Sequence, residues 1–273
     1  MTTPRFLIAL AGAAVVTGVT ACGGASTPSA SSESATATTT STTSTTSTTS
    51  TTSMTSTSSA APASTSVASA SSACSELGGQ VGPDQVCTVH TETAGYTIDM
   101  SFPVTYPDQP ALATVLKRQR DQFIETVSEP PVRDVPKALG ITPTSYASGP
   151  PDARTESLVL EEYVNVGGAH PETYYDALNY DMAKKASITF ATLFKPGADP
   201  VAVLDPFVEN ELKNRLQGAP VDANPIGAEM YQNFALTDGA VIFFIGQGQW
   251  TIEAAGAQQV SVPRNELASI LAY

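Results

Sequence analysis

The chain has 273 residues and a formal net charge of −13, with 13 Lys+Arg set against 26 Asp+Glu, 3 Cys and 2 His. A field of that sign repels phosphate backbones and anionic headgroups, which argues against nucleic acid as a partner and favours a cationic one. Two histidines without a metal-ligand spacing give no zinc motif, so neither a metal nor another cofactor is expected.

The first 73 residues contain only two charged side chains, Arg5 and Glu33. Arg5 precedes a continuous apolar run of 14 residues, Phe6 to Val19. As a helix this run would span roughly 21 Å at 1.5 Å per residue, short of a ~30 Å hydrocarbon core. It therefore reads as an export signal rather than a membrane span. The run ends in Val19-Thr20-Ala21-Cys22, which looks like a bacterial lipobox. Residues 1–21 are expected to be a cleaved lipoprotein signal peptide, with Cys22 carrying the lipid. Paired acyl chains hold far more firmly than one, each buried methylene adding about 0.8 kcal/mol.

Residues 22–73 then form a linker that is nearly all Ser, Thr, Ala and Pro. It has too little apolar surface to offset ordering entropy, so a disordered tether is expected, and its composition suits O-glycosylation. Cys74 and Cys87 are the two remaining thiols, close in sequence and on the oxidising side of the membrane in this reading. They are expected to form a disulfide marking the start of a folded domain over 74–273.

Within that domain, Val86 to Met100 alternates as strands do, clearest at Tyr96–Met100, and Pro103 and Pro107 close the segment. Asp108 is placed to cap a helix with Pro110 in its first turn. Leu112, Val115, Leu116, Phe123 and Val127 share one face, and Pro130-Pro131 ends it. A Pro/Gly-rich stretch runs to Pro151. Ser157–Val166 and Thr173–Asp181 read as a long antiparallel hairpin joined by Gly167-Gly168-Ala169-His170-Pro171-Glu172. Around Pro200 to Leu216 a second helix carries Val201, Leu204, Val208, Leu212 and Leu216, and Pro206 inside the pattern suggests that it starts near Asp205 or bends there.

Asp238-Gly239 between Phe234–Leu236 and Ala240–Ile245 predicts a two-residue hairpin turn with positive φ at both central positions. A last strand, Gln258–Val262, passes through Pro263 into a short helix ending near Leu271. The pattern is α+β: an antiparallel sheet built from hairpins, with two or three helices packed against it.

No G-x-S-x-G presents a nucleophilic serine, and neither His90 nor His170 has a motif that fixes a hydroxyl beside it. No catalytic residue is assigned. His170, in a glycine-rich loop near Tyr174 and Tyr175, is the candidate ligand surface. Gly246-Gln247-Gly248 with Trp250 gives a weaker hint of a carbohydrate platform.

Cys74-Ser-Glu-Leu with Cys87, Tyr106-Pro-Asp-Gln109, Tyr163-Val-Asn-Val-Gly-Gly-Ala-His-Pro171, Tyr231-Gln-Asn-Phe234, Asp238–Phe244, and Ala254-Ala-Gly256 through Val262-Pro-Arg264 occur in the order seen in the secreted immunogenic antigens of mycobacteria. The folded domain resembles that family. The family in turn resembles the C-terminal domain of RsiV, an anti-sigma factor that senses lysozyme, and a domain that accompanies a peptidoglycan deacetylase. The resemblance implies an α/β fold of antiparallel strands and helices, an extracytoplasmic site and no established catalytic residues.

The expectation is a lipoprotein anchored on the outer face of the cell membrane. Its non-catalytic domain would bind a cationic, lysozyme-like protein or a cell-wall glycan. The alternative is an envelope esterase or glycan-modifying hydrolase, with His170 as base and Asp176 or Asp181 orienting it.

Overall fold

The computed structural model describes residues 73–128, 135–217, 221 and 227–273. The expected signal peptide, Cys22 and all of the linker but Ala73 lie outside these residues, as do Pro130 and Pro131.

Seven strands form the main sheet in chain order: β1 (Gln80–Val81), β2 (Val86–Glu92), β3 (Tyr96–Pro103), β4 (Lys137–Ser148), β5 (Thr155–Asn165), β6 (Glu172–Asp181) and β7 (Ala186–Ser187). Neighbours are antiparallel except β3 and β4, whose parallel pairing runs from Tyr96↔Lys137 to Met100↔Ile141. That exception follows from the connection between them, because the chain must travel back before β4 begins. It does so through α1 (Gln109–Ser128).

Asp108 caps α1 as expected, its Oδ1 accepting the Ala111 N–H at 3.1 Å. Leu112, Leu116, Phe123 and Val127 are buried against Leu139, Ile141, Leu158 and Leu160 of the sheet. Each fully buried leucine of this kind contributes roughly 1.5–3 kcal/mol.

The stretch before Pro151, read above as Pro/Gly-rich connection, contains the 12-residue strand β4. Pro143 disguised it, since proline cannot donate to a ladder. The strand tolerates Pro143 because beyond Ile141 it pairs with β5 alone.

A second sheet, ordered β10-β9-β8, comes from β8 (Phe234–Leu236), β9 (Ala240–Ile245) and β10 (Gln258–Pro263). Period-two alternation along β9 assigns its side chains to two cores. Val241, Phe243 and Ile245 join Leu204, Val208 and Leu212 of α3 (Pro200–Arg215). Phe244 instead joins Val159 and Tyr175 of the main sheet, with Ile242 packed alongside. The layers therefore run α1, main sheet, second sheet, α3, with short helices α2 (Phe190–Leu193) and α4 (Arg264–Leu267) closing the far core.

One local expectation is resolved and another corrected. α3 fills the expected span from Pro200, and the alternative start near Asp205 is excluded, because the Oδ1 of Asp199 caps the helix by accepting the Ala202 N–H at 3.2 Å. Three buried apolar residues offset the hydrogen bond that Pro206 cannot make. The β8–β9 turn does fall at Asp238-Gly239, but neither residue has positive φ. The Thr237 hydroxyl accepts the Ala240 N–H at 3.0 Å and Asp238 Oδ1 accepts the Gly149 N–H at 2.8 Å, so side-chain bonds shape the turn in place of left-handed backbone.

The disulfide expected between Cys74 and Cys87 is present, with Cα atoms 5.9 Å apart. It lies flush on β2 because residue 79 is glycine. A Cβ there would come within 2.6 Å of the Cys87 sulfur and 2.9 Å of the Thr88 carbonyl oxygen.

The two sheets are also joined by side chains acting as backbone substitutes. Asn233 Nδ2 donates to the Tyr175 carbonyl at 2.7 Å while its Oδ1 accepts the Ala177 N–H at 3.0 Å, closing the outer edge of β6. Asn179 Nδ2 donates to the Phe234 carbonyl at 2.8 Å, and Ser157 Oγ accepts the Leu236 N–H at 3.0 Å. Asn233→Ala strands a donor and an acceptor on β6, and we expect a loss of about 2 kcal/mol in urea unfolding. An unchanged midpoint would remove Asn233 from the role described.

Candidate functional site

The β5–β6 hairpin ends in a tight loop. Gly167 takes φ 86°, and Asn165 Oδ1 accepts its N–H at 3.0 Å. Beside it runs the loop that follows β9. The Gln247 N–H donates to the Thr173 carbonyl at 2.9 Å, and Gln247 Oε1 accepts the Thr173 N–H at 3.2 Å. Gly246 is required here, since a Cβ would sit 2.9 Å from Cδ1 of Tyr174. The same loop brings Glu253 to His170, with Oε2 3.1 Å from Nε2, while His170 Nδ1 is 3.2 Å from the Pro171 carbonyl oxygen. Two glycine-rich segments that the sequence presents separately are thus one place in the fold.

Carboxylates gather around Tyr174. Its hydroxyl donates to Glu172 Oε2 at 2.5 Å, and its pKa is pushed up by burial, by that hydrogen bond and by the charges of Glu172, Glu253 and Glu162. Glu162 lies directly across the ladder from Tyr174, on the face covered by α1. Burial and the neighbouring charge of Asp176 push its carboxyl up to about 7, against the opposing pull of Arg118. Burial raises Asp176 too, opposed by Arg118, whose Nη2 donates to Oδ1 at 2.9 Å, and by Gln119, which donates to Oδ2. The result is an acidic, partly desolvated surface at one end of the sheet, set by Glu162, Glu172, Asp176 and Glu253 with Arg118 as its counter-charge.

The three residues expected to form a ligand surface are divided by the pleat. His170 and Tyr174 lie at this surface. Tyr175 points through the opposite face of β6, is only 8% exposed, and packs on Phe244 with ring centroids 5.3 Å apart. Trp250 is likewise a core residue at 3% exposure, 5.6 Å from the ring of Tyr231, so it offers no flat platform to a sugar.

The hydrolase arrangement weighed above is not assembled. His170 meets Glu253, not Asp176 or Asp181. Asp176 is held by Arg118 and Gln119, and Asp181 accepts the Ala183 and Lys184 N–H groups at the far end of β6. His90 faces solvent on β2 with Nδ1 2.6 Å from Asp99, a contact that raises its pKa. Among the described residues neither histidine hydrogen-bonds to a hydroxyl, and no group of three or more His, Cys, Asp or Glu is arranged to hold a metal ion.

The sequence did carry one signal for the buried carboxylates. Glu162 continues the even-numbered series Leu158, Leu160, Glu162, which alternation sends toward α1. Nothing local marked Glu253, Arg118 or Gln119, which arrive from segments 57 or more positions away from their partners in the chain.

The chain as a whole is similar to known proteins. Residues 191–265 match the family model described as "Protein of unknown function (DUF3298)". The chain is 40% identical over 196 residues to the esterase Rv3036c of Mycobacterium tuberculosis, covering 71% of this chain and 86% of that protein. It is 38% identical over 202 residues to the immunogenic protein MPT64 of the same species, covering 73% and 88% respectively. A solved DUF3298 family protein from Pseudomonas aeruginosa PAO1 aligns at a TM-score of 0.45 and 14% identity, over 70% of this chain and 95% of that one.

The raised carboxyl of Glu162 has a consequence for stability. The folded protein holds this proton up to about pH 7, whereas the unfolded chain releases it near the ordinary value of 4.5. Folding therefore binds the proton, and the contribution of Glu162 to stability falls as pH rises through that window. Between about pH 5 and about pH 8, Glu162→Gln should lose less stability in urea titrations than wild type. Equal losses in the two proteins would contradict the described burial.

Proposed function

The chain belongs to the mycobacterial family that includes the esterase Rv3036c and the immunogenic protein MPT64, and from that premise we propose that it is an envelope lipoprotein whose folded domain binds a cationic, lysozyme-like protein. Cys22 is the proposed lipid attachment point, and the Ser/Thr-rich linker holds the domain away from the outer face of the cell membrane. A place in the wider RsiV-like group is compatible with this membership and is part of the proposal.

One observation carries the reading: Glu162, Glu172 and Glu253, from three segments, converge on Tyr174 at the loop end of the hairpin, with Asp176 beside Glu162. Steering of a cationic protein is what such a surface does well, because attraction raises the encounter rate and disfavours acidic competitors. Exposed apolar side chains stand on the same segments, Tyr163 and Val166 at the hairpin end and Ile252 beside Glu253. Exposed apolar side chains near charged ones are a common composition of a protein-binding patch.

A second reading, ester hydrolysis, is supported by the relative named an esterase. Glu162, titrating near neutrality beside Asp176, is the group best suited to act there as a general base.

Binding of hen egg-white lysozyme to the purified chain separates the two. Affinity should fall steeply with added salt, and Glu172→Lys with Glu253→Lys should weaken it by about tenfold or more. Absence of salt-sensitive binding would end this version of the proposal. Turnover of short-chain p-nitrophenyl esters that is lost in Glu162→Gln, without loss of fold, would establish the second reading.

A further inference from the structure

Strands β3 and β4 part company halfway along. Their parallel pairing stops at Met100↔Ile141, while β4 continues to Ser148 against β5. The parting leaves a wedge of about 360 Å³. Pro103, Thr105 and Tyr106 line one side, and Ser145 and Ala147 line the other.

Hydrogen-bond directions fix what β4 presents to this wedge. The Ile141 carbonyl accepts Ser101 Oγ at 3.4 Å from the β3 side. Backbone groups alternate sides along a strand, so Pro143, Ser145 and Ala147 face the same way as Ile141. The far edge of the sheet gives an independent check. There Thr173, Tyr175 and Ala177 turn their backbone groups outward to Gln247 and Asn233. Counting back through the β6–β5 and β5–β4 registers sends the even residues of β4 to β5 and its odd residues to the wedge.

Among the described residues nothing pairs with the N–H and C=O groups of Ser145 and Ala147 on that side. The contrast with β6 is marked, because there the edge is closed by an asparagine side chain and a glutamine loop. Pro143 removes one donor, a common way to blunt an edge, but the next two odd positions keep both groups.

We infer that the wedge between β3 and β4 accepts an extended peptide, which adds to the free edge of β4 as a strand. The lining defines its chemistry. Ser145, Ala147 and Thr105 are small and exposed, and Glu156 is already paired with Arg154, whose Nε lies 2.8 Å from Oε1. The wedge thus makes no demand for charge and gives affinity through main-chain hydrogen bonds. Its occupant is an uncharged stretch with small side chains such as Ser, Thr, Ala or Val. The inference does not rest on the acidic surface, which is built from other residues.

The probe is a displayed library of nonapeptides restricted to Ser, Thr, Ala, Val and Gly, selected on the full chain, with the best nonapeptide then synthesised. Binding should slow amide exchange at Ser145 and Ala147. Methylation of peptide nitrogens one at a time should abolish binding at up to three alternate positions, those facing the carbonyls of Pro143, Ser145 and Ala147, and spare those between. Ala147→Pro, checked for fold by circular dichroism, should weaken binding by about tenfold or more, since it deletes a donor. Selection of no binder, protection at other strands, or an N-methyl pattern without period two would each overturn the inference, as would pairing of β4 with a second copy of the chain.

Discussion

Two sheets of unequal size can form one body only if the backbone groups at their junction are satisfied, and this chain meets that demand with asparagine. The amide of Asn233 offers a donor and an acceptor at the spacing of a peptide unit, so it occupies the place of a missing strand beside Tyr175 and Ala177. Because the same residue's carbonyl accepts the Phe244 N–H at 2.8 Å, the second sheet is oriented at the position where its apolar faces divide between two cores. Buried backbone groups left without such partners would cost more than the apolar contacts around them could readily return. The loop carrying Glu253 is positioned by the same edge, two residues before Tyr175 on β6, through Gln247 and Thr173. The acidic surface is therefore a by-product of how the sheet edge is closed.

Much of this fold was legible from pattern alone, and the reasons are local. The hairpin of β5 and β6 reads out because its apolar alternation is long and the Gly167-Gly168 break is unambiguous. α1 reads out because Asp108, Pro110 and the Leu112–Val127 stripe agree with one another. β4 did not, since proline and glycine in a strand imitate a connection unless the absent neighbour at Pro143 is known. The parallel pairing of β3 and β4 is likewise a tertiary fact. So is the conformation at Asp238-Gly239, where Gly149 and the Thr237 hydroxyl outweighed the preference of the dipeptide for left-handed backbone.

The candidate surface was legible only in part, for a related reason. Proximity in sequence suggested His170, Tyr174 and Tyr175 together, but adjacent residues on a strand point to opposite faces, and the pleat places Tyr175 beside Phe244. The carboxylates that matter electrostatically come from β5, β6 and the loop after β9, with their counter-charge on α1. In a chain this acidic no composition argument separates Glu162 from its neighbours. Burial beneath α1 does, because desolvation acts on Glu162 while Glu161, one residue away, faces solvent on the other side of the sheet.

The bond between Cys74 and Cys87 closes a covalent loop that contains the whole of β1 and reaches the sheet at β2. Tension applied to the chain ahead of Ala73 would therefore pass through sulfur directly into β2, bypassing β1 as a peelable flap. β2 is held to β3 by seven register pairs, so the load enters the sheet at this longer ladder and not at the two pairs that hold β1. With the thiols reduced, the same pull would run along the backbone and meet β1 first, whose hold on β2 is two register pairs.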